Sequence, residues 1–126
     1  MTARAFQVRF TASARTGALD QVHHLAKAVS RPDAVAKMTS VVDEVAIELR
    51  RAPLAHPIAA AGAEFGITRY REIAKSGYRA GYLVDETRRE AVVLAIFRDG
   101  QDIQDLLYRH LLTGYDVPLL TARGDQ

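Results

Sequence analysis

The stretch Tyr70-Arg71-Glu72-Ile73, followed by Tyr78-Arg79-Ala80-Gly81-Tyr82 and then Val92 to Phe97 running into Arg98-Asp99-Gly100-Gln101-Asp102-Ile103, decides the fold. It reads as three consecutive strands, each carrying arginine, that end at a short helix. Lys75-Ser76-Gly77 supplies turn chemistry between the first two strands, and Asp85 to Arg89 a charged hairpin between the next two. Ala91 to Phe97 is almost wholly apolar, as suits a central buried strand. Core strands do not need a charge on every rung. The arginines therefore point to a sheet face that touches an anionic or acidic partner.

Working outward, Phe6, Val8 and Phe10 alternate with polar residues, the period of a half-buried first strand. Thr11 or Ser13 offers a helix N-cap. Ala18, Leu19, Val22, Leu25, Ala26 and Val29 recur at helical spacing. Ser30-Arg31-Pro32-Asp33 breaks that helix, and Pro32 suits the first turn of the next. Val35, Met38, Val42, Val45 and Leu49 give the second helix its apolar stripe, which Pro53 ends. Ala52 to Gly66 reads as loop, with a short edge strand near Ile58. Asp99 is placed to cap the last helix, whose buried face would be Ile103, Leu106, Leu107 and Leu111. The predicted order is β-α-α-β-β-β-α, an α+β fold with an N-terminal helical hairpin packed on a small antiparallel sheet. Residues 1–112 form one domain in this reading, and 113–126, with Gly114, Pro118 and Gly124, a flexible tail.

Composition narrows the function classes. The 126 residues suit one domain, and 48% apolar and 25% charged residues suit a packed core with an ordinary surface. A formal charge of +2 is too small to argue for nucleic acid without clustering. With no cysteine, disulfides, thiolate zinc sites and cysteine nucleophiles are excluded. The N-terminus lacks the order of a signal peptide, and no apolar run approaches the ~18 residues of a membrane span. The expectation is a cytoplasmic protein.

Other chemistry finds little footing. His23 and His24 are adjacent on a helix and diverge, and His56 stands alone between Ala55 and Pro57, so no metal site is expected. Asp43, Glu44 and Glu48 read as a solvated helix face. Gly62 and Gly66 lack the spacing and the lysine of a phosphate loop, and no cofactor site is expected.

The order of elements, with Arg71-Glu72-Ile73, Tyr78-Arg79…Tyr82 and Ile96-Phe97-Arg98…Gln101-Asp102-Ile103, resembles the RelE/ParE superfamily of bacterial toxins over about residues 5 to 112. The ending is more similar to the ParE branch. Gln101, Asp102 and Ile103 match its last motif, while Arg98 stands where histidine is common and Gly100 where arginine is common. The resemblance implies a toxin neutralised by a cognate antitoxin protein. ParE-like members are associated with blocking DNA gyrase, RelE-like members with cutting mRNA on the ribosome. Cleavage by 2′-hydroxyl attack needs a base and an acid beside its cations. This chain offers arginines, which stay protonated and serve as clamps. His110, Tyr108 and Tyr115 do not match the ribonuclease spacing. The expected function is gyrase inhibition by binding, with no catalytic residue. A ribosome-dependent endoribonuclease is the alternative, and the departures at Arg98 and Gly100 leave an inert relative as a third reading.

The residues expected to bind target or partner are Arg69, Arg71, Arg79, Arg98, Tyr78 and Tyr82. Each has a structural reading beside it. Alternation puts Arg69 and Arg71 on the face of Ile73, where Arg71 would be partly covered and bonded to a carboxylate or helix end. Arg79 is placed to pair with Glu72 across the hairpin. Tyr78 and Tyr82 suit core edges. A sheet covered on one side leaves apolar surface for an antitoxin segment that folds on binding, or for a homodimer partner.

Overall fold

The computed structural model describes residues 5–60 and 69–101. Strand β1 (Gln7–Phe10) leads into helix α1 (Ala12–Leu25) and helix α2 (Arg31–Arg51), then a 3-10 turn (Pro53–Ala55), and strands β2 (Arg71–Lys75), β3 (Tyr78–Asp85) and β4 (Glu90–Arg98). The architecture is α+β, two helices on a four-stranded sheet of order β1-β4-β3-β2.

Local chemistry sets the boundaries. The N-cap of α1 is Thr11, whose Oγ1 accepts from the Ala14 N–H at 3.1 Å. Ser30 caps α2 in the same way through Asp33 N–H, with Pro32 in the first turn. Ser76 and Gly77, both at positive φ, form the two-residue turn between β2 and β3. Such a turn matches the twist of the strands it joins.

The sheet is mixed, where a wholly antiparallel one is expected from sequence. β2, β3 and β4 run antiparallel, but β1 pairs parallel with β4 from Gln7↔Glu90 to Phe10↔Val93. The helical hairpin and two strands lie between them, enough chain for the crossover that a parallel pair requires. Ile58 forms an isolated bridge with Arg71, so the edge pairing expected near Ile58 is present. The expected last helix, its capping by Asp99 and the 112/113 boundary fall outside the described residues.

The main core lies between helices and sheet: Ala14, Val22, Met38, Val41, Val45 and Leu49 meet Ile73, Ala80, Tyr82, Val93 and Ile96. Both stripes are shifted from their sequence reading. Leu19 and Val29 are exposed on the first hairpin arm while Gln21 is buried, and Val35 is exposed while Ala34 and Val41 are buried. A β-bulge at Leu94 changes the parity of β4, since Tyr82 pairs with Val93 but Gly81 with Ala95. Ala91, Val93 and Ile96 therefore face the helices, and Ala95 and Phe97 form a separate cluster. Thr11 holds the bulge by donating its N–H to Val93 O at 3.0 Å and its hydroxyl to Leu94 O at 3.4 Å.

Candidate functional site

One end of the sheet gathers chemistry from four elements. The pairing places Lys75, Tyr78 and Arg98 side by side on β2, β3 and β4. Arg98 follows Ile96 by two residues and shares its helix-facing side. There its Nη1 donates to Gln21 Oε1 on α1 at 3.1 Å. Gln21 Nε2 donates to Gln101 Oε1 at 3.2 Å, and that oxygen also accepts from the Arg98 N–H at 3.2 Å. The chain turns sharply here: Gln101 N–H donates to Arg98 O at 3.1 Å, with Gly100 at φ +89°. Glycine takes that conformation without strain, so Gly100 is a turn requirement.

Arg79 belongs to the other sheet face, paired in register with Phe97. Its Nε donates to Asp99 Oδ1 at 2.9 Å, and its Nη1 lies 3.7 Å from Glu72 Oε1. The pairing with Glu72 read from sequence is thus present. Burial pushes the Glu72 pKa up, and Arg79 opposes this. Beside Glu72 the Tyr70 ring lies over Gly81, filling the space a Cβ there would occupy. Tyr70 is fully buried, and its hydroxyl has no hydrogen-bond partner among the described residues. Burial, then the Glu72 charge, push that hydroxyl's pKa up.

A second cluster lies toward the opposite end of β2 and β3. Arg71 Nη1 donates to His56 O at 2.5 Å and to Leu54 O at 3.4 Å. Tyr82 is fully buried and donates its hydroxyl to Pro53 O at 2.5 Å, so burial pushes its pKa up. His56 does not stand alone. Its Nε2 is 3.2 Å from Glu48 Oε2, and its ring stands edge-on to Tyr82 at 6.5 Å between centroids. Arg51 is hydrogen-bonded to the same carboxylate and, above all other causes, holds the Glu48 pKa low.

The six expected contact residues therefore do not form one wall. Arg98 and Tyr78 share the sheet end on the helix-facing side, Arg79 sits at that end on the opposite face, and Arg71 and Tyr82 brace the 3-10 turn. Arg69, expected within a strand running from Thr68 to Ala74, is exposed in the turn before β2. Sequence reading missed Gln21, because periodicity favours Leu19, and it missed the His56–Glu48 pair, which tertiary folding creates. The spacing of α2 carried no signal for a loop histidine eight residues on.

The expected exposed apolar sheet face is also corrected: Leu83, Val92, Leu94 and Phe97 are all buried. Exposed apolar side chains lie elsewhere, with Leu19 and Ile47 on the helices and Leu54 and Ile58 beyond them. Among the described residues no group of three or more His, Asp or Glu could hold a metal ion, and no helix is long and apolar enough to cross a membrane.

No family model and no curated protein matches this sequence. Solved structures do. A chain of the toxin–antitoxin complex RelBE2 from Mycobacterium tuberculosis matches at 20% identity and a TM-score of 0.55, over 79% of this chain and 98% of that one. A chain of the chromosomal ParDE toxin–antitoxin system from P. aeruginosa matches at 15% identity and a TM-score of 0.61, over 76% of this chain and 98% of that one. This is the RelE/ParE fold. Both branches of the RelE/ParE superfamily lie at similar distance, so the fold assigns the chain to neither.

Proposed function

We propose that this chain is the toxin of a type II toxin–antitoxin system, neutralised by a cognate antitoxin in the cytoplasm, and that it acts by binding and inhibiting DNA gyrase. The shared fold carries the first part, because both matching structures come from toxin–antitoxin systems and each is matched over 98% of its chain. The sheet end supports the second. The Arg98 guanidinium is held by the neutral amide oxygen of Gln21, and among the described residues it makes no hydrogen bond to a histidine. Asp99, the nearest carboxylate in sequence, is engaged by Arg79. That arrangement suits gripping an acidic surface better than moving protons.

One observation favours the alternative, a ribosome-dependent endoribonuclease. His56 is oriented by Glu48 and lies in the cluster that holds Arg71, which sets a base near a cation. Purified chain tested in a gyrase supercoiling assay, with and without the product of the adjacent short reading frame, separates the two. The expected result is inhibition that the antitoxin relieves. No inhibition, with codon-positioned mRNA cuts that vanish in His56→Gln, would establish the alternative.

A further inference from the structure

Gln21 occupies a place that helix patterning gives to an apolar side chain. It is 1% exposed, whereas Leu19 on the same helix is 55% exposed. A buried amide left without partners costs about 1–3 kcal/mol. Here both ends are used: Oε1 accepts from Arg98 Nη1 at 3.1 Å and Nε2 donates to Gln101 Oε1 at 3.2 Å. Gln101 in turn accepts from the Arg98 N–H and donates back to Arg98 O. The three residues thus form a closed ring across α1, the end of β4 and its turn.

What matters is that the acceptor is neutral. Arg79 meets two carboxylates, those of Asp99 and Glu72. Among the described residues Arg98 has no ion pair; its guanidinium is fixed by an amide oxygen that leaves its charge uncancelled. A glutamate at position 21 would hold the group at least as firmly and neutralise it. A held, partly exposed guanidinium with no carboxylate against it among the described residues is preorganised for an outside anion, with less side-chain entropy to lose on binding.

We infer that Gln21 is a positioning residue, which holds the Arg98 guanidinium aimed and still charged for an acidic group on the target protein. This rests on the toxin reading above in one respect, the identity of the target. The hold on Arg98 is independent of it.

The test compares wild type, Gln21→Leu, Gln21→Glu, Arg98→Ala and Gln21→Leu/Arg98→Ala. Nitrogen NMR of the Arg98 guanidinium reads its order directly, because a held group gives separate Nη signals and a freely rotating one gives an average. Separate signals are expected in wild type and Gln21→Glu, and an averaged signal in Gln21→Leu. Gyrase inhibition should weaken about tenfold, ~1.4 kcal/mol, in Gln21→Leu. It should also weaken in Gln21→Glu, which a packing role would leave intact, and Gln21→Leu should add nothing to Arg98→Ala. Averaged signals in wild type, or separate ones surviving in Gln21→Leu, would overturn the inference. So would a further loss of inhibition when Gln21→Leu is added to Arg98→Ala. If wild type does not inhibit gyrase but the signals collapse in Gln21→Leu, the positioning stands and the gyrase reading falls.

Discussion

The Glu72 carboxylate sits on the sheet face away from the helices, between Arg79 and the buried Tyr70 hydroxyl. Burial raises its pKa more than Arg79 lowers it. The folded protein therefore keeps this proton to higher pH than the unfolded chain. Well below the ordinary carboxylate range both states are protonated, and the group adds no pH dependence. As pH rises through that range the unfolded chain ionises first, so stability falls until the folded value is passed. Glu72→Gln removes this titration. Arg79 retains Asp99, and the contact given up is a 3.7 Å approach of a part-exposed guanidinium, outside hydrogen-bond range. Urea unfolding should show Glu72→Gln gaining stability relative to wild type between pH 4 and pH 7. A relative loss over that interval would refute the account. The Arg79–Glu72 pair was legible in the sequence, because Ser76-Gly77 fixes the hairpin register. The burial of Tyr82 fits its reading as a core edge, whereas that of Tyr70 was not legible, since a tyrosine ahead of a strand reads equally well as a core residue or a contact residue.

At the scale of elements, α1 crosses β4 so closely that Gly17 is required. A Cβ at position 17 would stand 2.6 Å from Ile96 O, a backbone atom that cannot swing aside. Helix propensity alone predicts that Gly17→Ala stabilises by about 0.8–1 kcal/mol. Packing predicts the reverse, since forcing atoms into a filled contact costs roughly 1–3 kcal/mol. We expect Gly17→Ala to destabilise the domain in thermal or urea unfolding, and a rise in stability would mean that α1 and β4 separate readily. The same crossing explains what the sequence concealed. Strands and helices were evident from periodicity and turn residues. The uninterrupted apolar run Ala91 to Phe97 hid the bulge at Leu94, because an all-apolar strand shows no alternation from which parity can be read. The parallel pairing of β1 was hidden for a related reason: four residues with one buried face fit either direction.

For the molecule as a whole, the arginines divide into those that build the fold and those left for contact, and one pair of substitutions separates the classes. Arg71 ties β2 to the 3-10 turn through two carbonyls, next to the Tyr82 hydroxyl that bonds Pro53 O. Removing it loses both bonds, one exposed and one part-buried, at about 0.5–1.5 kcal/mol each. For a domain of this size each kcal/mol moves Tm by roughly 2–8 °C. Arg98 makes one side-chain bond, to Gln21, and its backbone bonds survive truncation. Arg71→Ala should therefore lower Tm by several degrees and reduce growth arrest only as far as the folded population falls. Arg98→Ala combined with Gln21→Leu, which removes the buried amide together with its donor, should keep Tm close to wild type and abolish arrest. Calorimetry beside an induced-expression growth assay checks both. Arrest that persists in that double variant with a normal Tm would take the sheet end out of the contact surface. Loss of arrest in Arg71→Ala at unchanged Tm would move that surface to the 3-10 turn, where His56 and Glu48 meet, and would favour RNA cleavage over gyrase binding.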